Sequence, residues 1–67
     1  MIEVFINGAA EQVAEPIDVA GLLAARGLVG KRVAVERNGE IVPKSRHAEM
    51  PLAPGDRLEI VVAVGGG

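Results

Sequence analysis

Ile60-Val61-Val62-Ala63-Val64-Gly65-Gly66-Gly67 is the stretch around which the chain is organised, an apolar strand that runs directly into three glycines. Glycine adds no packing and loses more conformational entropy on folding than other residues, so three in succession indicate a role outside the core. A backbone without side chains can enter a narrow channel, and at ~3.3–3.6 Å per extended residue it reaches roughly 10 Å past the strand. We therefore expect the carboxylate of Gly67 to be the functional end of the molecule, against the alternative of an inert, frayed terminus.

Length and composition favour a carrier or binding module over an enzyme. The chain has 67 residues. That length suits one domain with a buried surface of about 60% of the unfolded total, and leaves no room for an enclosed active-site cleft. The chain has seven Lys or Arg, which are scattered, and nine Asp or Glu, so its net charge is -2. Phe5 is the single aromatic residue. The clustered cations and stacking platforms of nucleic-acid binding are therefore lacking.

The sequence also contains no cysteine and no recognisable targeting signal. Without cysteine, disulfides, iron–sulfur clusters and Cys-based zinc sites are excluded. The first residues alternate as a strand does, unlike a signal peptide, and no apolar run approaches the ~20 residues of a membrane span. We expect a soluble, cytoplasmic protein.

The first strand and its turn follow from a simple pattern. Ile2, Val4 and Ile6 alternate with period two, as in a strand with one buried face. Asn7-Gly8 predicts a type I′ hairpin turn, because both central positions of that turn need positive φ. A second strand should return over residues 9–14.

A single helix should follow this hairpin. Asp18 suits the N-cap, since its carboxylate can accept bonds from amides that lack a partner in the first turn. The helix should cover residues 19–26 and end at Gly27 in the left-handed conformation. Gly21 costs ~1 kcal/mol against alanine inside such a helix. The apolar stripe that should lie on the sheet consists of Val19, Leu22 and Leu23.

The second half of the chain repeats the arrangement of strand, turn and strand. Residues 31–37 alternate with Val33 and Val35 inward, and Asn38-Gly39 predicts a second type I′ turn. A short return strand should end at Pro43, because proline cannot donate a ladder hydrogen bond.

A short helical turn and a last strand should complete the domain. Ser45 is placed to cap a helical turn that extends through Glu49. Pro54-Gly55 has the residues of a type II turn, with positive φ allowed at the glycine. The last strand should begin near Asp56.

This last strand is apolar on both faces beyond Glu59. Ile60, Val62 and Val64 share one face, while Val61 and Ala63 share the other. One helix covers one face in so short a chain, so we interpret Val61 and Ala63 as docking a partner. A central strand covered on both sides is the alternative.

The side chains offer little chemistry of their own. His47 is the single histidine, so a zinc site would lack further ligands and a surface or packing role is favoured. The carboxylates show no paired spacing for acid–base catalysis, and Asp18 and Asp56 should serve local turns. The carboxylate of Gly67 is then the distinctive group. Coupled to AMP it becomes a mixed anhydride, which a sulfur or nitrogen nucleophile can open.

The order of elements resembles the β-grasp, or ubiquitin-like, fold, an α+β class with a mixed four- to five-stranded sheet packed on one main helix. Within that class the chain is similar to the ThiS family of sulfur carriers in thiamine biosynthesis. The segments that carry this resemblance are VAVERNGEIVP (33–43), PGDRLEI (54–60) and AVGGG (63–67). The resemblance implies a β-grasp domain over residues 1–64 and a flexible glycine tail over residues 65–67.

The resemblance also implies partners and a reaction. An E1-like adenylyltransferase (ThiF-like) would activate Gly67 with ATP and Mg²⁺, and a sulfur donor such as a cysteine desulfurase would supply the sulfur of a thiocarboxylate. Thiazole synthase (ThiG-like) would accept that sulfur, with Gly65 and Gly66 threading a partner channel. The chain itself would be no enzyme and would bind no cofactor, metal, nucleic acid or membrane.

Three other functions remain open from the sequence. The first is a sulfur carrier for molybdopterin or tRNA thiolation, which has the same terminal chemistry. The second is a protein modifier joined to lysines through Gly67. The third is a binding module whose tail is inert.

Overall fold

The computed structural model describes residues 1–63, and residues 64–67 lie outside the described part. The expectations for Val64, Gly65, Gly66 and Gly67 therefore stay predictions. The elements are β1 (Ile2–Ile6), β2 (Ala9–Val13), α1 (Val19–Ala25), β3 (Val33–Arg37), β4 (Glu40–Val42), a 3₁₀ helix (Lys44–Glu49) and β5 (Arg57–Val62).

The strands form one mixed sheet in the order β2-β1-β5-β3-β4. β1 runs parallel to β5, while the pairs β1–β2, β3–β4 and β3–β5 are antiparallel. The last strand in sequence therefore lies at the centre and joins the two hairpins. A mixed five-stranded sheet with one main helix confirms the predicted fold class.

Both hairpin turns are confirmed by their backbone angles. Asn7 and Gly8 have φ of 51° and 86°, and Asn38 and Gly39 have φ of 53° and 86°. These paired positive values are what a type I′ turn requires. Each strand pair is thereby set in register by its turn.

Helix α1 begins and ends as its sequence predicts. The Asp18 side chain accepts a hydrogen bond from the Gly21 amide at 2.7 Å. At the other end Gly27 has φ of 72°, and the Leu28 amide donates to the Leu23 carbonyl at 2.9 Å, which is the Schellman arrangement. The helix ends at Ala25 with Arg26 as its C-cap, one residue earlier than predicted.

Close packing accounts for Gly21. A Cβ at this position would lie 3.3 Å from the Asp18 Oδ1 atom and 3.3 Å from the Ile17 Cγ1 atom. An alanine there would press on the carboxylate that caps the helix. Without a side chain, residue 21 can donate its amide to the Asp18 carboxylate and leave that carboxylate in place. This hydrogen bond offsets the helix propensity that glycine loses.

The core lies between α1 and one face of the sheet. Val4 and Val19 are completely buried, and Val13, Val33 and Met50 pack against its margin. The opposite face of the sheet, here called the outer face, carries the alternate residues of each strand. The buried core consists of Ile2, Val4, Ile6, Val19, Leu22, Leu23, Val35, Val42, Leu52, Leu58 and Ile60.

Two local predictions need correction. Ser45 does not cap the helical turn, because the 3₁₀ helix begins after Pro43 and no side chain caps it. Proline at the cap presets φ and supplies no side-chain acceptor. Strand β3 begins at Val33, two residues later than Lys31, because residues 28–31 form a turn in which the Lys31 amide donates to the Leu28 carbonyl at 3.1 Å.

Candidate functional site

The predicted docking residues lie on the outer face, beside the point where the tail begins. Val61 is 63% exposed, and Ala63 is also exposed. The Ala63 amide donates to the Arg32 carbonyl at 2.9 Å, so the chain is hydrogen-bonded up to the last described residue. The exposure that docking requires is present, and the docking role itself stays a prediction.

Val61 belongs to a larger apolar area on this face, here called the outer patch and formed by Ala34, Ile41, Val61 and Ala63. Ala34 pairs directly with Val61 across β3 and β5. Ile41 is 76% exposed and belongs to β4. Exposed apolar side chains grouped in this way are typical of an interaction surface.

Two glutamates interrupt the outer patch. Glu36 pairs directly with Glu59 on β5 and, on its other side, with Ile41 on β4. Among the described residues the ion pairs are Arg26–Glu11 and Arg37–Asp56, so no cation is paired with either glutamate there. The patch therefore combines apolar side chains with a local negative charge.

Asn7 ties the β1 turn to β5, which sequence analysis missed. Its Nδ2 donates to the Ile60 carbonyl at 3.2 Å, and its Oδ1 accepts from the Ile60 amide at 2.8 Å. The side chain thus makes the two hydrogen bonds with β5 that the backbone of a further β1 residue would otherwise make. An Asn-Gly turn predicts the backbone angles alone, and nothing in the sequence indicates this long-range contact.

Asn38 holds the other side of β5 in the same region. Its Oδ1 accepts from the Arg57 amide at 2.9 Å, and its Nδ2 donates to Asp56 Oδ1 at 3.1 Å. Both hairpin turns therefore reach the central strand through an asparagine side chain. β5 is fixed from two sides before it leads to the tail.

Asp56 anchors the start of β5. Its Oδ2 accepts from the Ala53 amide at 2.8 Å and from Arg37 Nε at 2.8 Å. Burial alone would raise the pKa of Asp56, but the hydrogen bonds from Ala53, Arg37 and Asn38 and the charge of Arg37 outweigh it and lower the pKa below its ordinary value. The predicted turn role of Asp56 is confirmed, and it extends to the end of β3.

The remaining titratable side chains form no reactive cluster in the described part. His47 is buried, and its Nε2 lies 3.2 Å from the Val42 carbonyl oxygen, which confirms a packing role. Within residues 1–63 no three His, Cys, Asp or Glu are grouped to hold a metal ion. Neither helix of that part has the length and apolar character to cross a bilayer.

Comparison with known sequences places the chain in a family. The ThiS family model matches residues 4–67, a range that includes the three glycines at positions 65–67. The sulfur carrier protein ThiS of Bacillus subtilis is 49% identical over 49 residues, with 73% of this chain and 74% of that protein covered. A thiazole synthase of Paramagnetospirillum magneticum is 44% identical over 66 residues, or 98% of this chain. The chain spans only 20% of the length of that thiazole synthase.

Solved structures agree with the sequence comparison. The crystal structure of the thiamine biosynthesis protein ThiS from Geobacter metallireducens superposes with a TM-score of 0.82 at 30% identity. The superposition covers 98% of this chain and 100% of that chain. The chain therefore belongs to the ThiS family, the sulfur carrier proteins of thiamine biosynthesis.

Proposed function

We propose that this chain carries sulfur as a thiocarboxylate on Gly67 and delivers it for thiazole formation. The observation that carries the proposal is the family match, which extends through Gly65, Gly66 and Gly67. The strand that leads to these glycines is held by hydrogen bonds up to Ala63. A rigid strand followed by a thin backbone suits the delivery of a terminal group into an enclosed site of another protein.

The proposed reaction needs two steps on the Gly67 carboxylate. An E1-like adenylyltransferase, using ATP and Mg²⁺, joins the carboxylate oxygen to the α-phosphorus and releases pyrophosphate. The second step begins when the outer sulfur of a persulfide, held on a donor such as a cysteine desulfurase, attacks the carbonyl carbon. The C–S bond forms, the C–O bond to AMP breaks, and the product is an acyl disulfide. A thiol then attacks the donor's sulfur in that disulfide, so that the S–S bond breaks, a new disulfide forms between the thiol and the donor, and the thiocarboxylate is released. Glycine leaves the attacked carbon uncrowded.

A thiazole synthase is the proposed acceptor. Support comes from the Paramagnetospirillum magneticum relative, in which a thiazole synthase contains a segment similar to 98% of this chain. When a carrier-like segment and a thiazole synthase occur in one polypeptide, the separate carrier and the separate synthase are favoured to associate physically. We therefore expect this chain to dock on a thiazole synthase with Gly65 and Gly66 in a channel of that enzyme.

Val61 and Ala63 are proposed to dock the partners. Both lie on the exposed outer patch, within a few residues of the glycines that react. A partner that binds the patch would receive the tail without a further search, because the two are joined by a short segment. Binding energy gained at the patch would thus position the reacting carboxylate.

Intact mass spectrometry of the protein from its native cell tests the proposal. We expect a form in which sulfur replaces one oxygen, located at Gly67 by fragmentation. Isopeptide conjugates through Gly67 instead would identify a protein modifier. An unchanged Gly67 in the presence of ATP, the activating enzyme and a sulfur donor would identify an inert tail.

Substitution of the middle glycine tests threading. Gly66→Val should lower the rate of adenylate formation by about 100-fold, because a side chain displaces the carboxylate in a narrow channel. The measurement is ATP–pyrophosphate exchange with the purified activating enzyme. Ala9→Val, which places the same valine side chain at the exposed start of β2, serves as the control. Equal rates for the two variants would disprove threading.

A further inference from the structure

An apolar groove lies on the helix side of the sheet, between the segment after α1 and the 3₁₀ helix. Its volume is about 420 Å³, and apolar side chains such as Leu23, Leu28 and Val33 form much of its wall. Val29 stands at this groove with 74% of its surface exposed. Apolar surface left open in this way is typical of a site that another molecule covers.

The charges around the groove have one sign. Lys31, Arg32 and Lys44 line it, and none of its lining residues is acidic. The chain as a whole has a net charge of -2, so this concentration of cations is local. Within residues 1–63 none of the three cations forms an ion pair. We call this feature the basic groove.

A second groove provides a contrast. It has a volume of about 410 Å³ and lies between α1 and β2. Its cation, Arg26, contacts the Glu11 carboxylate at 3.0 Å, so its charge is balanced within the chain. In the described part of the chain, the cations of the basic groove have no such acidic partner.

The position of the basic groove connects it with the tail. Arg32 lines the groove, and its carbonyl accepts the hydrogen bond from Ala63, the last described residue. Val33 lines the groove as well, and it pairs with Val62 on β5. The outer patch lies on the opposite face of the same strand end. A protein that encloses the tail must therefore pass close to both surfaces.

We propose that the basic groove receives an acidic segment of the activating adenylyltransferase, with carboxylates facing the three cations and an apolar side chain entering between Leu23, Leu28 and Val33. The inference rests on the proposed function and adds a second contact surface to it. Opposite charges at the rim would steer association, while the apolar wall would contribute to the lifetime of the complex.

A single charge reversal tests the groove. Lys44→Glu should raise the Kd for the purified adenylyltransferase of the same organism by about 10-fold, measured without ATP by titration calorimetry. In the exchange assay the KM for this chain should rise equally with kcat unchanged. The difference should largely vanish near 1 M salt, where the Debye length is about 3 Å.

Arg46→Glu is the matched control. Arg46 lies two residues from Lys44 in the same 3₁₀ helix, is also exposed, and does not line the groove. The reversal changes the net charge by the same amount, so a groove-specific effect should be absent. Thermal melts of both variants should match that of the unmodified chain, because both side chains are exposed.

The other outcomes are decisive as well. Equal affinities for Lys44→Glu and Arg46→Glu would overturn the proposal, as would an unmodified chain that does not bind the adenylyltransferase. If Lys44→Glu weakened binding only to thiazole synthase, the groove would belong to that partner and the assignment made above would be wrong. The mass measurement at Gly67 decides the sulfur-carrier function independently of all these results.

Discussion

Asp56 is the side chain that joins the turn before β5 to the end of β3. Three hydrogen bonds reach its carboxylate, from Ala53, Arg37 and Asn38. These donors stabilise the charged form, and for that reason the pKa is lowered in the folded protein although the side chain is buried. The charged carboxylate therefore contributes to folding at neutral pH.

Acid should remove this contribution. The unfolded chain has an Asp pKa of about 3.9, above the folded value, so between the two pKa values the unfolded state binds the proton. The stabilisation is complete above the unfolded pKa and is lost as the pH falls through the folded one. Urea unfolding of the unmodified chain should show this decline below about pH 4.

Asp56→Asn should lower the free energy of unfolding at pH 7 by ~1.5–3 kcal/mol, because an amide cannot accept all three bonds. Its stability should also depend less on pH in the acid range. Glu40→Gln, at an exposed position of β4, is the control and should behave as the unmodified chain. Parallel pH profiles for Asp56→Asn and the unmodified chain would contradict this role.

At the residue scale, local features could be predicted from the sequence, whereas long-range side-chain contacts could not. The cap at Asp18, the positive φ values at Asn7 and Asn38, and the left-handed Gly27 depend on neighbours within a few positions, and they were predicted. The bonds from Asn7 to Ile60 and from Asn38 to Arg57 join residues far apart in sequence. Such contacts depend on the assembled sheet, and local patterns do not contain them.

At the scale of the elements, periodicity located each strand and the helix to within two residues. The shift of β3 to Val33 has a local cause, since hydrogen bonding in the turn competes with the ladder for residues 28–31. The 3₁₀ helix was expected as a helical turn, but its cap was assigned to the wrong residue. Ends of elements are decided by such competition between nearby hydrogen bonds.

The pairing of β3 with β5 leads to a stability prediction. Glu36 and Glu59 are directly opposite on adjacent strands, and like charges so placed are destabilising. Glu36→Lys should raise the free energy of unfolding by ~0.5–1 kcal/mol at low salt, measured by urea denaturation. The gain should shrink at high salt.

Glu3→Lys is the control for this pair. Glu3 lies opposite the neutral Gln12 on β2, so the same substitution creates no ion pair with that residue. It should leave the stability nearly unchanged. A gain at Glu36 that persisted at about 1 M salt would mean that repulsion between the glutamates is not its source.

At the scale of the whole molecule, the resemblance to a family implied a mixed four- to five-stranded sheet on one main helix, but the order of strands in that sheet was not predicted. Periodicity identifies strands but does not say that the last one lies between β1 and β3. The outer patch and the basic groove both depend on this order, because each is built from segments distant in sequence. The exposure of Val61 could be predicted from the sequence. Its pairing with Ala34 and the grouping of cations beside Val33 could not be predicted.

Removal of residues 65–67 tests the proposed boundary between domain and tail. Within residues 1–63 the buried core residues all lie between Ile2 and Ile60, so the free energy of unfolding should change by less than ~0.5 kcal/mol. Chemical denaturation is the measurement. A shorter chain that ends at Glu59, and so lacks the buried Ile60, should be strongly destabilised. A large loss from the first truncation would place the glycines within the folded domain.

The central position of β5 has a consequence for synthesis. Residues 1–42 contain both hairpins, yet these pair with each other only through β5, which the ribosome makes after them. A nascent chain that has not reached Arg57 therefore lacks the sheet and the surfaces on it. A chain cut short by incomplete translation would offer a partner neither a complete surface nor Gly67, the residue proposed to carry the sulfur. On that proposal, the sheet and the site of modification are both completed at the end of synthesis.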